Sequence, residues 1–90
     1  MLSEIPQSSA PLIAYLEHRE PDLNCFRFYR MEVERDLFGA WTLMRNWGRI
    51  GTHGRDRIDS FDSCAAAEQA RDRLAATKTR RGYVALAGTP

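Results

Sequence analysis

The sequence predicts an α+β fold: an antiparallel sheet of about four strands with one α-helix packed across it. Three observations carry that reading. Four stretches rich in aliphatic and aromatic residues are separated by short turn signals, the spacing of hairpin-connected strands. One alanine-rich run follows them, and it holds the strongest helix formers in the chain. Ninety residues with 43% hydrophobic and 28% charged side chains are enough for one domain and one modest core.

Residues 1–11 read as a flexible leader, 12–86 as the folded domain and 87–90 as a tail. Pro6, Pro11 and Ser8-Ser9 give the leader little to pack. It has neither the basic start nor the continuous apolar stretch of a secretory signal. No apolar run approaches the roughly 20 residues that span a bilayer. The expected location is the cytoplasm, with no membrane partner. Cys25 and Cys64 lie far apart and show no metal-ligand spacing, so reduced thiols are expected there, although one disulfide stays open.

The first strand is Leu12 to His18. Glu20-Pro21-Asp22 turns the chain, because Pro21 removes a backbone donor and biases Glu20 toward extended geometry. Asn24 to Glu34 is the second strand. Phe26, Phe28, Arg30, Glu32 and Glu34 share one parity and Cys25, Arg27, Tyr29, Met31 and Val33 the other. Neither face is purely apolar, which implies partial cover on both. Asp36-Leu37-Phe38-Gly39 is a turn, and Ala40 to Trp47 is the third strand. Gly48, Gly51 and Gly54 then punctuate the chain, with a tight turn or bulge expected around Thr52-His53-Gly54. Arg55 to Phe61 is the fourth strand.

Asp62-Ser63 supplies a capping oxygen for a helix from Cys64 to Lys78. Ala67, Ala70, Leu74 and Thr77 form its buried stripe, and Glu68, Arg71 and Asp72 are placed on its wet side. Lys78 and Arg80 suit the negative end of the helix dipole. Gly82 is the exit residue. Tyr83 to Leu86 either adds a short strand or lies against the core.

Net charge is only +1, but its distribution is polarised. Residues 1–44 carry four arginines against seven acids, whereas residues 45–90 carry nine lysines and arginines against five acids. The basic surplus gathers at Arg45, Arg49, Arg55 and Arg57 and again at Lys78, Arg80 and Arg81. Such a layout fits a local anionic contact better than a general nucleic-acid coat; an ordinary solvated surface is the plainer alternative.

Catalytic chemistry is poorly supported. His18 and His53 have no sequence partner that would make either a base, and no cluster of metal ligands occurs. The Gly48, Gly51 and Gly54 spacing is not a dinucleotide fingerprint, and no helix starts there to bind phosphate. The expectation is a non-enzymatic chain with no cofactor, no metal and no small-molecule substrate. Trp47-Gly48-Arg49 carries more: an indole beside a guanidinium, separated by an uncluttered backbone, can stack on a sugar or base and neutralise phosphate. The competing reading makes Trp47 a core residue and Arg49 a solvated one.

Asn24-Cys25-Phe26-Arg27-Phe28-Tyr29 and Asp36-Leu37-Phe38-Gly39-Ala40-Trp41 resemble the entry to a WGR domain. Trp47 to Gly54 resembles its signature loop. Lys78-Thr79-Arg80-Arg81-Gly82-Tyr83 resembles its helix ending. The resemblance covers about residues 12–86 and is nearest to short stand-alone bacterial WGR proteins. Ala40 departs from it, where many such proteins have a second glycine. The family is best known from the poly(ADP-ribose) polymerases, in which it binds DNA near strand breaks and relays that binding to a catalytic domain. The resemblance implies sugar stacking by Trp47, a contact from Arg49 to DNA or a neighbouring domain, and phosphate contact by Lys78. Asn24 aligns loosely with a DNA-contacting segment. Gly48 belongs to the motif, and Arg57, Arg80 and Arg81 join the candidate set from charge alone. Ninety residues cannot hold the polymerase, so nothing in cis is expected to be activated. The expected partner is DNA at ends or nicks; the alternative is a partner protein docked on the Trp/Arg surface or on a sheet edge.

Overall fold

The computed structural model describes residues 13–86; the expected leader and tail lie outside the described residues. The strands are β1 (Ile13–Glu20), β2 (Cys25–Arg35), β3 (Trp41–Arg49), β4 (Arg55–Phe61) and β5 (Val84–Ala85), with helix α1 (Cys64–Arg80) between β4 and β5. They form one antiparallel sheet in the order β4-β3-β2-β1-β5. The architecture is α+β as predicted, but the strand count is five rather than about four. The extra strand is only two residues long, too short to leave a period-2 pattern in the sequence. It forms because the chain leaving α1 returns to pair Val84 with Glu17 and Ala85 with Leu16.

Two other expectations shift at element boundaries. β2 starts at Cys25 because Asn24 takes a left-handed conformation, φ 52°, closing the one-turn helix of Pro21–Leu23. β3 extends through Arg49, so Trp47-Gly48-Arg49 lies on the strand and not in the loop beyond it. The turn follows directly, where Thr52 donates from both N and Oγ1 to the Arg49 carbonyl, at 3.0 and 2.8 Å.

The core lies between α1 and one face of the sheet. Leu16, Tyr29, Met31, Val33 and Leu43 point to α1 and are buried with Ala67 and Tyr83. The alternation of the central strands puts these residues on one side, and the small side chains Ala67, Ala70 and Ala75 let the helix lie close. Ser63 caps α1 by accepting from the Ala66 amide at 3.1 Å. The helix ends when the Lys78 carbonyl accepts from Arg81 and Tyr83, with Gly82 reaching back to Thr79. One helical expectation fails: Arg71 is buried, 5% exposed, rather than wet. It lies one turn after Ala67 on the sheet side, and its guanidinium reaches Asp72 at 3.2 Å. Among the described residues no helix covers the opposite sheet face, yet Phe28 is buried there, stacked with Tyr15 at 6.2 Å between centroids.

Candidate nucleic-acid interface

The pairing register builds the candidate site at the end of the sheet where α1 stops. Tyr29 on β2 is opposite Leu16 on β1 and Trp47 on β3, and Trp47 is opposite Arg55 on β4. All four share the helix-side face. The half-buried Trp47 indole lies against Tyr29, centroids 5.8 Å apart and planes 28° from parallel. The last turn of α1 brings Lys78 over this platform, with Nζ 4.5 Å from the Tyr29 ring centre and 5.5 Å from that of Tyr83. Two aromatic rings thus hold one ammonium group, and Trp47 backs the first of them.

More cations converge on the same place. Arg27 is opposite Arg49 in the β2–β3 ladder. Burial lowers the Lys78 pKa, and the nearby Arg81, Arg27 and Arg45 push it further in the same direction. Among the described residues, Arg27, Arg55, Lys78 and Arg81 form no ion pair with a carboxylate. The alternation explains the excess. Strand positions on the helix side carry Arg27, Arg35, Arg45, Arg49, Arg55 and Arg57 against Glu20 and Asp59, whereas the opposite face carries Glu17, Glu32, Glu34 and Asp56 against Arg19 and Arg30. Charge is therefore sorted across the sheet as well as between the halves of the chain.

Beneath the platform lies a polar network. Arg45 donates to the Tyr29 hydroxyl at 3.3 Å and to Asp59 at 3.0 Å. Burial alone would raise the Asp59 carboxyl, but bonds from Arg45 and Arg57 outweigh it and hold its pKa below the usual aspartate value. The Arg45 Nε is buried without a partner among the described residues.

The residues singled out from sequence do not all meet. Trp47, Lys78, Arg81 and Arg49 gather at this end of the sheet. Asn24 joins through Arg49, whose guanidinium donates to the Asn24 carbonyl and Oδ1 at 3.3 and 3.2 Å and stands 5.4 Å from the Phe26 ring centre. Gly48 faces the other side of the sheet, where a Cβ would come within 2.8 Å of the Gly54 Cα. Arg57 is held by Asp59 at 3.2 Å, two residues along β4 from Arg55. Arg80 is exposed and donates to Thr77 at 3.4 Å, away from the platform's contacts. Sequence reasoning missed Arg27, Tyr29 and Tyr83. Arg27 and Tyr29 share a parity in the sequence, but only the register places them beside Arg49 and Trp47. Among the described residues no group of His, Cys, Asp and Glu could hold a metal ion, and no helix is long and apolar enough to cross a membrane.

A small sheet crossed by one helix, with a tryptophan on the third strand near Arg55 and Lys78, which have no carboxylate partner among the described residues, has the form of a nucleic-acid-binding-type module. The chain belongs to the WGR domain family, whose profile matches residues 13–89, and that family is non-catalytic. It is similar to the protein y4dW of Sinorhizobium fredii, 39% identical over 83% of this chain and 37% of that one. It is also similar to protein YehF of Escherichia coli, 46% identical over 43% of this chain and 14% of that one. A crystal structure of a Bacteroides fragilis protein superimposes with a TM-score of 0.70 at 26% identity, covering 82% of this chain and 19% of that chain. The chain therefore spans well under half the length of these relatives.

Proposed function

We propose that this chain is a non-enzymatic DNA-binding module that reads ends or nicks at the platform formed by Tyr29, Trp47 and Lys78. The observation that carries the reading is Lys78: a partly buried ammonium held on aromatic faces among Arg27, Arg45 and Arg81, with no carboxylate partner among the described residues. A phosphate oxygen is the group this arrangement lacks. Trp47 beside it offers the apolar face on which a terminal sugar or base stacks. Arg27, Arg49, Arg55 and Arg81 extend the positive surface. The contacts are to phosphate and sugar, so little sequence preference is expected.

Fluorescence anisotropy with nicked, blunt and covalently closed duplexes over a salt series tests this. The expected outcome is salt-sensitive binding that favours the nicked or 5′-phosphorylated substrate. Equal or absent binding to all three at low salt overturns end recognition.

A second reading, a protein-interaction module, is favoured by Leu37 and Phe38, which are 98% and 93% exposed at the tip of the β2–β3 hairpin. A pull-down with wild type and Trp47→Ala, with and without nuclease, separates the two. Partner loss on nuclease treatment supports DNA; retention supports a protein partner.

A further inference from the structure

The two edges of the sheet are finished differently. At one edge the two-residue β5 covers part of β1. The other edge is β4, seven residues long and, among the described residues, paired on one side only. It contains no proline, and its central residue, Ile58, is 64% exposed. Such an edge is a template for another strand unless its side chains oppose the pairing.

The β4 side chains favour one partner. The sequence Arg55-Asp56-Arg57-Ile58-Asp59-Ser60-Phe61 is complementary to itself when reversed about Ile58. Antiparallel pairing of two copies there sets Ile58 against Ile58, Arg57 against Asp59, Asp56 against Ser60 and Arg55 against Phe61. Directly opposite residues share a sheet face, so each pair meets on its proper side. Arg57 and Asp59 both belong to the helix side, and Arg57 is 62% exposed with Asp59 32% exposed. A shift by one residue brings Ile58 against Asp59 and loses the match.

We infer that β4 is a self-association edge, at which two copies of this chain pair antiparallel about Ile58 to make one continuous sheet. The two-fold axis runs perpendicular to the sheet, so both helices and both Trp47 platforms lie on the same face. From strand rise and strand spacing the two indoles stand roughly 25 Å apart. If the platforms bind DNA ends as proposed above, the dimer presents two end-binding sites side by side. The dimer itself does not depend on that reading, and its test uses no nucleic acid.

The test is sedimentation equilibrium of the ninety-residue chain from low micromolar to near-millimolar concentration, with Ile58→Glu as the comparison. Ile58 is exposed, so the variant keeps the fold while setting two carboxylates face to face. The expected result is a mass rising toward twice that of the chain for wild type and staying at one chain for Ile58→Glu. A monomer throughout, or a dimer unmoved by Ile58→Glu, overturns the proposal. Register is read separately by disulfide cross-linking. Directly opposed strand residues have Cα separations within disulfide reach, so Ile58→Cys links two copies, whereas Ser60→Cys, opposite Asp56, links no more than the wild type. Equal linking by both variants overturns pairing about Ile58.

Discussion

The Lys78 ammonium stands 4.5 Å above the centre of the Tyr29 ring, and that ring also carries the Trp47 indole at 5.8 Å. One residue near the end of the helix is thereby joined to the signature tryptophan through an aromatic ring of the central strand. The helix end, the sheet register and the charge all converge on that ring. Lys78 is kept there against the repulsion of Arg81, Arg27 and Arg45, a cost that an incoming anion relieves.

Lys78→Met keeps the apolar stem over Tyr29 and removes the charge. The expected outcome separates stability from binding. Urea denaturation gives a stability within about 1 kcal/mol of wild type, because the lost cation–ring attraction is offset by relief of like-charge repulsion. DNA affinity falls, and the slope of log affinity against log salt shrinks by about 0.9, the loss of one phosphate contact. An unchanged slope removes Lys78 from the interface.

The lowered Lys78 pKa also fixes a pH dependence. Between its folded value and lysine's ordinary one, the unfolded chain binds more protons. This group's contribution to stability therefore rises with pH across the window that ends at lysine's ordinary value. DNA binding runs the other way. Phosphate raises the Lys78 pKa, so binding takes up a proton, and affinity falls as pH climbs through the value of the free protein. Titration calorimetry within that window, in buffers of different ionisation enthalpy, reads that uptake directly. An apparent enthalpy that does not change with buffer contradicts it.

Asp59 sets the acid side. Its carboxyl is held below the usual aspartate range by Arg45 and Arg57 in spite of burial. Its contribution to stability is therefore full above the ordinary aspartate value and is lost as pH falls through the folded one. Asp59→Asn costs about 1–2 kcal/mol at neutral pH, because Arg45 loses its carboxylate while its Nε is already buried without a partner among the described residues. The gap between variant and wild type narrows in urea melts taken at progressively lower pH.

Leu37→Ser combined with Phe38→Ser has a different signature. Both side chains are almost fully exposed, and the turn beneath them is held by Asp36, whose Oδ1 accepts from Phe38 and Ala40 at 2.8 and 2.9 Å. The double variant is expected to melt within about 0.5 kcal/mol of wild type and to bind DNA equally well. Loss of a protein partner without loss of DNA binding assigns the hairpin tip to the second reading.

The sheet and helix were legible because their signals are local. Arg55 to Phe61 is a strand by both routes, and Ser63 caps the helix that its oxygen predicts. What escaped or stayed open depends on partners distant in sequence. Val84 and Ala85 become a strand only because β1 offers them an edge. Arg71 is a polar residue by type, but helical phase puts it one turn after the buried Ala67. The candidate site was half legible. Trp47, Arg49 and Lys78 stood out as residue types in a motif, whereas Arg27 and Tyr29 entered through the β2–β3 register, which alternation along one strand cannot supply. Arg57 and Arg80 stand out by charge alone, which does not show that a carboxylate and a hydroxyl respectively bond them.

Gly54 is the position where backbone and motif meet. Its φ is +70°, and a Cβ there would overlap the Trp47 carbonyl and come within 3.0 Å of the Phe28 ring. Neither neighbour can give way cheaply, since one is backbone in the middle of the sheet and the other is buried. Gly39 provides the control. Its φ of +88° is similarly unfavourable for an L residue, but among the described residues, its two chain neighbours aside, no atom lies within 4 Å of its missing Cβ. Gly39→Ala therefore bears the conformational cost alone, about 1–2 kcal/mol. Gly54→Ala bears that cost plus displacement of the Trp47 backbone, for a total of about 3 kcal/mol or more. The displacement also tilts the indole on Tyr29. Gly54→Ala is thus expected to weaken DNA binding and alter the Trp fluorescence even where the chain is still folded, while Gly39→Ala lowers the melting temperature and leaves both readouts unchanged. Equal losses of stability in the two variants refute the steric argument, and an unaltered indole signal in folded Gly54→Ala refutes its link to the platform.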